Sequence, residues 1–163
     1  MSDSIFSKII SGEISSFKIY EDSKVIAILD INPVNAGHTL VIPRKEYVTL
    51  MDMPDTLAEH TIRVVKYLST ELMKLTGAQG INVFQNNGAA AGQEVPHVHF
   101  HIIPRFEGDE AIPNWPRKSA TPEQMKELSI LLISKLKPIS KKKPRKTTKT
   151  KIKSVKVKKS LKY

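Results

Sequence analysis

The chain has no cysteine among its 163 residues, which excludes disulfides, thiolate nucleophiles and every cysteine-ligated zinc or iron–sulfur centre. Its apolar runs are only a handful of residues long, far short of the roughly 20 that a membrane-spanning helix needs. The opening Met1-Ser2-Asp3-Ser4 has neither the basic start nor the long apolar stretch of a secretory signal. Aromatic residues are scarce at 6%, with one tryptophan, Trp115, expected to cover core or to line a partner's site entrance. Acidic residues are missing from one region altogether: residues 138–163 hold 12 Lys or Arg and no Asp or Glu. These absences predict a cytoplasmic protein with no membrane partner.

The net charge of +10 therefore belongs to one end of the chain. In residues 1–137 the other 14 basic residues face all 16 acidic ones, so that body is close to neutral. Residues 1–137 are expected to form one domain, since domains run to roughly 100–200 residues. Residues 138–163 are expected to be a Lys-rich tail, low in complexity. Within it Val155-Lys156-Val157-Lys158 alternates as an edge strand would. Any contact with RNA or DNA is expected from that tail and not from the body.

Along the body, Ser4 to Gly12 suits a short helix, with Ile5, Phe6, Ile9 and Ile10 at helical spacing. Phe17–Glu21 and Lys24–Ile31 read as a hairpin about Asp22-Ser23, and His38–Ile42 as a third strand ended by Pro43. A long helix is predicted from Pro54 to Leu75, its apolar stripe made by Leu57, Ile62, Val65, Leu68 and Leu72. Gly80–Gln85 and His97–Ile103 complete five strands. Between them, Asn86–Val95 is a small, Gly- and Ala-rich loop suited to close approach. Thr121-Pro122-Glu123 opens a last helix reaching about Leu136. The order predicts an α+β domain on a five-stranded antiparallel sheet.

Three of five histidines, His97, His99 and His101, are spaced by two. On a strand their imidazoles share one face, leaving Val98, Phe100 and Ile102 for the core. One histidine here would ordinarily be structural; three at this period beside a Gly-rich loop point to a site. Two chemistries fit. Three neutral imidazoles can ligate zinc and leave a position for water. Alternatively one imidazole is a nucleophile or base while its neighbours orient it and bind an anion. Strand neighbours splay, so enclosing a metal would need ligands from elsewhere, and the second chemistry is the stronger reading.

His97-Val98-His99-Phe100-His101-Ile102-Ile103 resembles the His-φ-His-φ-His-φ-φ signature of the histidine triad (HIT) superfamily, φ being apolar. Asn86–Val95 resembles that family's phosphate loop. Ile5-Phe6-Ser7-Lys8-Ile9-Ile10 and Asp30–His38 resemble its Hint branch at matching separations. The similarity covers roughly residues 4–105.

The resemblance implies the HIT-like fold, a homodimer, and a purine nucleotide substrate hydrolysed or transferred through a nucleotidyl-His99 intermediate. Phosphoramidates and acyl-adenylates are the implied substrates, adenosine phosphoramidase being the Hint activity. The rivals are a dinucleoside polyphosphate hydrolase and a nucleotide- or nucleic-acid-binding protein with vestigial catalysis. His101 would contact a phosphate oxygen, with His97 and His38 in support. Asn86, Gly92, Gln93 and Val95 would bind phosphate and Asp30 the ribose. Ile5, Phe6, Ile9, Ile28, Leu29 and Ile31 would surround the base. No cofactor and no metal are implied for the chemistry. The chain departs from the pattern twice. Glu94 stands where several relatives have Ser or Thr. Ser4-Ile5-Phe6-Ser7 stands where some have Cys-Ile-Phe-Cys with structural zinc, and neutral hydroxyls are poor zinc ligands.

Overall fold

The computed structural model describes residues 4–111 and 119–137. Trp115 and all of 138–163, including the Val155–Lys158 alternation, lie outside them. The chain divides into two compact units, Met1–Asn114 and Trp115–Tyr163, so the division falls ahead of the 137/138 change in charge. Charge marks composition, whereas the units are defined by packing.

The first unit runs α1 (Ile5–Ser11), β1 (Lys18–Glu21), β2 (Val25–Leu29), β3 (Thr39–Pro43), α2 (Asp55–Thr76), β4 (Gly80–Phe84) and β5 (Phe100–Arg105). The strands form one antiparallel sheet in the order β1-β2-β3-β5-β4. The second unit's described helix is α3 (Pro122–Lys135), opened by a capping box between Thr121 and Gln124. Among the described residues no helix is long and apolar enough to cross a membrane. This is the expected α+β architecture.

Strand alternation sorts the core into two faces. Val25, Ala27 and Val41 join Val98, Phe100 and Ile102 in a cluster with Val64, Val65, Leu68 and Leu72 of α2. Ile26, Ile28, Leu40 and Ile42 point the other way and pack with Phe6 of α1. Each fully buried side chain of this kind contributes about 1.5–3 kcal/mol, so both helices are held by apolar area. The stripe of α2 is Thr61, Val64, Val65, Leu68 and Leu72; Ile62, expected on it, is half exposed because it sits round the helix from that row.

One correction bears on the site. The triad segment was expected to be strand throughout, but β5 begins at Phe100. β3 pairs with β5 only through Thr39↔Ile102, Leu40↔His101 and Val41↔Phe100. Before Phe100 the chain leaves the ladder, and the Val98 N–H donates instead to Tyr47 O at 2.7 Å.

Candidate functional site

α1 exists to cover the sheet face that carries the histidines. Ser4 caps it, accepting from Ser7 N–H, and Gly12 ends it in the left-handed region. That places Phe6 edge-on to both His97 and His99, at centroid distances of 5.9 and 5.0 Å. His99 and His101 lie 4.9 Å apart. The three rings thus share a face, although two of them precede the strand.

Hydrogen-bond partners that can only donate or only accept decide where each ring holds its proton. His99 Nδ1 lies 2.8 Å from His97 O; a carbonyl only accepts, so Nδ1 carries the proton. His99 Nε2 is left with its lone pair. The Val34 N–H donates to His38 Nδ1 at 3.3 Å, so neutral His38 carries its proton on Nε2 and donates it to His101 Nδ1 at 2.9 Å. His101 must then carry its own proton on Nε2. A nucleophilic lone pair and an N–H donor stand on adjacent rings.

Burial favours the neutral form of His101, His38 and His97. It pushes His101 down to about 4, helped by His99 and His38. Burial likewise lowers His38 against the pull of Asp30, and lowers His97 against its bond to Pro43 O and the nearby Glu46. His97 is fully buried. Its Nε2–H donates to Pro43 O at 2.8 Å, and its Nδ1 meets Ser4 Oγ at 2.9 Å. A buried ring nitrogen without a partner costs about 1–3 kcal/mol, so both contacts matter.

Asp30 follows β2, its backbone N–H donating to His38 O. Its Oδ1 accepts from Asn32 N at 2.8 Å, and its Oδ2 lies 3.6 Å from His38 Nδ1. The turn between them needs glycine at 37: φ is +86°, and a Cβ there would come within 3.3 Å of Pro104 and Thr76. Asn35 ties the same turn to β5, donating to Pro104 O and to Asp109, which Arg105 also holds.

The 86–95 loop is bonded to itself. Asn86 Nδ2 donates to Gly92 O, Gly92 N–H to Ala89 O and Gln93 N–H to Gly88 O. The Gln93 side chain accepts from Gly88 N–H and donates to Val48 O and Val95 O. The Gly92 and Gln93 amides therefore shape the loop. Val95 packs beside Phe6 and Ile28.

Of the residues proposed for the base, Phe6, Ile9 and Ile28 come together in the cluster on the α1 face. Leu29 follows Ile28 on the alternate face of β2. Ile5 and Ile31 face solvent, at 50% and 78% exposure. Glu94 is exposed. Sequence reasoning missed the Asn35–Asp109–Arg105 clamp and the Ser4, Ser7 and Glu46 cluster behind His97; only the capping pattern of Ser4 gave any signal for the latter.

Among the described residues, Asp30, His38 and His101 are a group whose ligand atoms lie within 4.8 Å of one another, as a cation would need. His38 and His101 are already bonded to each other through Nε2 and Nδ1. At Ser4-Ile5-Phe6-Ser7 the two hydroxyls are engaged with His97 and Glu46, and such neutral oxygens make a poor zinc set. A different concavity, a groove of about 740 Å³ along β4 lined by Ile81, Asn82, Arg105 and Phe106, holds no histidine.

Comparisons with known proteins fall on the part of the chain that builds this site. The family model for the HIT domain matches residues 11–108. An uncharacterized HIT-like protein of Methanocaldococcus jannaschii is 55% identical over 105 residues, covering 64% of this chain and 81% of its own. The adenosine 5'-monophosphoramidase HNT1 of Saccharomyces cerevisiae is 42% identical over 133 residues, 81% of this chain and 82% of its own. A crystal structure of a HIT family protein from Bacillus subtilis superposes with a TM-score of 0.77 at 35% identity, over 85% of this chain and all of the other.

Proposed function

The chain belongs to the HIT-domain family, and on that premise we propose that it is a nucleotide hydrolase or nucleotidyl transferase acting through a covalent nucleotidyl-His99. The observation that carries this reading is the partner of each ring: His99 Nδ1 meets the His97 carbonyl and His101 Nδ1 meets His38 Nε2, which among the described residues leaves the His99 Nε2 lone pair beside a His101 Nε2–H.

The reaction follows from those two atoms. His99 Nε2 attacks the α-phosphorus of a nucleoside monophosphate derivative, forming a P–N bond as the bond to the leaving group breaks. The leaving group departs with that electron pair and takes a proton from water. A second water attacks the phosphorus, the P–N pair returns to Nε2, and the nucleoside monophosphate leaves with one proton released. His101 Nε2–H would donate to the phosphate oxygen whose charge grows in each transition state. The N–H groups of Glu94 and Val95 would add to it, with Asn86, Gly92 and Gln93 holding the loop that presents them.

Asp30 Oδ2 is the carboxylate oxygen left for ribose hydroxyls. Phe6, Ile9 and Ile28 offer the apolar wall for a purine, with Ile5, Leu29 and Ile31 at its margin. Nucleoside phosphoramidates and acyl-adenylates are the substrate class this reading favours, and S. cerevisiae HNT1 bears an activity name of that kind. The exposed Glu94 would suit a cationic leaving group such as an amine.

Rapid alkaline quenching during turnover of an adenosine phosphoramidate labelled in its adenylyl group tests the mechanism, since alkali spares the P–N bond. Label is expected on His99, and His99→Ala should lose turnover while retaining nucleotide binding. Label on another residue, or full activity in His99→Ala, would overturn the proposal. Running diadenosine polyphosphate alongside separates the two hydrolase classes.

A further inference from the structure

Behind His97 the donors and acceptors run in one direction, and both ends are chemically unambiguous. At one end, Pro43 O can only accept, so His97 Nε2 carries the ring's proton and Nδ1 is an acceptor. At the other end is Glu46, whose carboxyl the Ser7 hydrogen bond holds below its usual range. As a carboxylate it too can only accept. Its Oε2 takes the Ser7 hydroxyl proton at 2.5 Å, and the Ser4 N–H points to it at 3.4 Å.

The serines between are then fully assigned. Ser7 has one hydroxyl proton, and it is committed to Glu46. Ser4 Oγ accepts from the Ser7 N–H at 3.1 Å. Its own proton has Ser7 Oγ at 3.1 Å as well as His97 Nδ1 at 2.9 Å in reach, and giving it to His97 is what matches the buried ring nitrogen, since Ser7 Oγ needs no donor while its proton is on Glu46. Neither serine could reverse its role without leaving the buried His97 nitrogen or the carboxylate unmatched.

The consequence reaches the nucleophile, because the His97 carbonyl is what receives His99 Nδ1–H. A His97 ring pinned at both nitrogens fixes the backbone carrying that carbonyl. Glu46 lies 3.9 Å from His97 Nδ1, close enough to draw a second proton onto the ring if the Ser4 proton were not already there. The other charged or titratable group acting on His97 is His99, from its own segment; α1 offers it the Ser4 hydroxyl.

We propose that Ser4, oriented by Ser7 and Glu46, is a positioning residue for the nucleotidyl-transfer reaction. Its hydroxyl holds His97 in the neutral Nε2–H form and so keeps the His97 carbonyl aligned on His99 Nδ1–H, leaving the His99 Nε2 lone pair aimed at phosphorus. The inference rests on His99 being the nucleophile.

Steady-state kinetics on an adenosine phosphoramidate and ¹⁵N spectra of histidine-labelled full-length protein test it together. Ser4→Ala should lower kcat about tenfold or more, with KM changed less than about twofold, because the loss falls on the reacting geometry and not on nucleotide contacts. Ser4→Thr, which keeps both hydroxyl and helix cap, should recover kcat to within about threefold of the parent. Glu46→Gln leaves the cap intact and should fall between the two. The spectra of the unaltered protein should show His97 protonated at Nε2 and bare at Nδ1, a result that does not require any variant to fold. Parental kcat in Ser4→Ala, or a proton on His97 Nδ1, would overturn the positioning role alone. Turnover surviving in His99→Ala would overturn the nucleophile and the positioning role with it, while the His97 spectrum would still report on the Ser4 contact.

Discussion

His38 Nε2 lies 2.9 Å from His101 Nδ1, and the proton between them belongs to His38 because Val34 N–H already occupies the other nitrogen of its ring. That single assignment turns His101 into a donor. A histidine two positions from a nucleophile is otherwise as able to compete with it as to assist it.

His101→Ala should therefore lose the donor and lower kcat about 10²–10³-fold, the usual loss for one transition-state hydrogen bond. His38→Ala should do less, since His101 remains and loses only its orienting partner. Chelators should leave the rate of the unaltered protein unchanged. Stopped-time assays with and without EDTA check all three; a His38→Ala defect larger than that of His101→Ala would contradict the assignment.

Stability should fall on mild acidification. His38, His97 and His101 are all lowered from the ordinary value of 6.5, His101 to about 4. Below 6.5 the unfolded chain binds protons that the folded chain refuses, so these rings' contribution is complete above that pH and is lost as pH falls towards 4. Carboxylates such as Asp109, held low by Arg105, add their own loss at lower pH. Thermal melts should drop by several degrees between pH 7 and pH 5, and His101→Gln should flatten that dependence.

Removing residues 138–163 should leave small-molecule hydrolysis within about twofold of the full chain, because every residue given a role in the proposed reaction lies between Ser4 and His101. If the 12 basic residues meet RNA or DNA, removal should weaken that binding and flatten its salt dependence, since phosphate neutralisation releases counterions. Filter binding at two salt concentrations reads this, and equal RNA affinity with and without the segment would assign it no nucleic-acid role.

The protein is expected to be a homodimer. Among the described residues β4 is an edge strand of the sheet, with half-exposed Val83 on it and the groove between Gln79 and Glu110 beside it, a place where a second copy could pack. Sedimentation at micromolar concentration should give twice the chain mass; a monomer there would count against the dimer.

Much of this architecture was legible before any coordinates. Short-range physics determines it: Ser4 and Gly12 bracket a helix, Pro54 and Gly77 bracket another, and period-two alternation sends Val98, Phe100 and Ile102 to the core. The triad spacing also put His97, His99 and His101 on one side, and that holds even where the ladder does not. What the sequence could not determine is which nitrogen of each ring holds a proton. For His99 the partner is local, the His97 carbonyl, but for His97 and His101 it is a carbonyl, a hydroxyl and a ring brought from residues 43, 4 and 38, which stand 54, 93 and 63 positions away from the rings they meet. The late start of β5 has the same origin: the Val98 N–H donates to Tyr47 O, outside the ladder. Composition and period describe what a residue is and which way it faces. The tertiary structure decides which donor or acceptor meets each nitrogen of His97 and His101, and so where those two rings hold their protons.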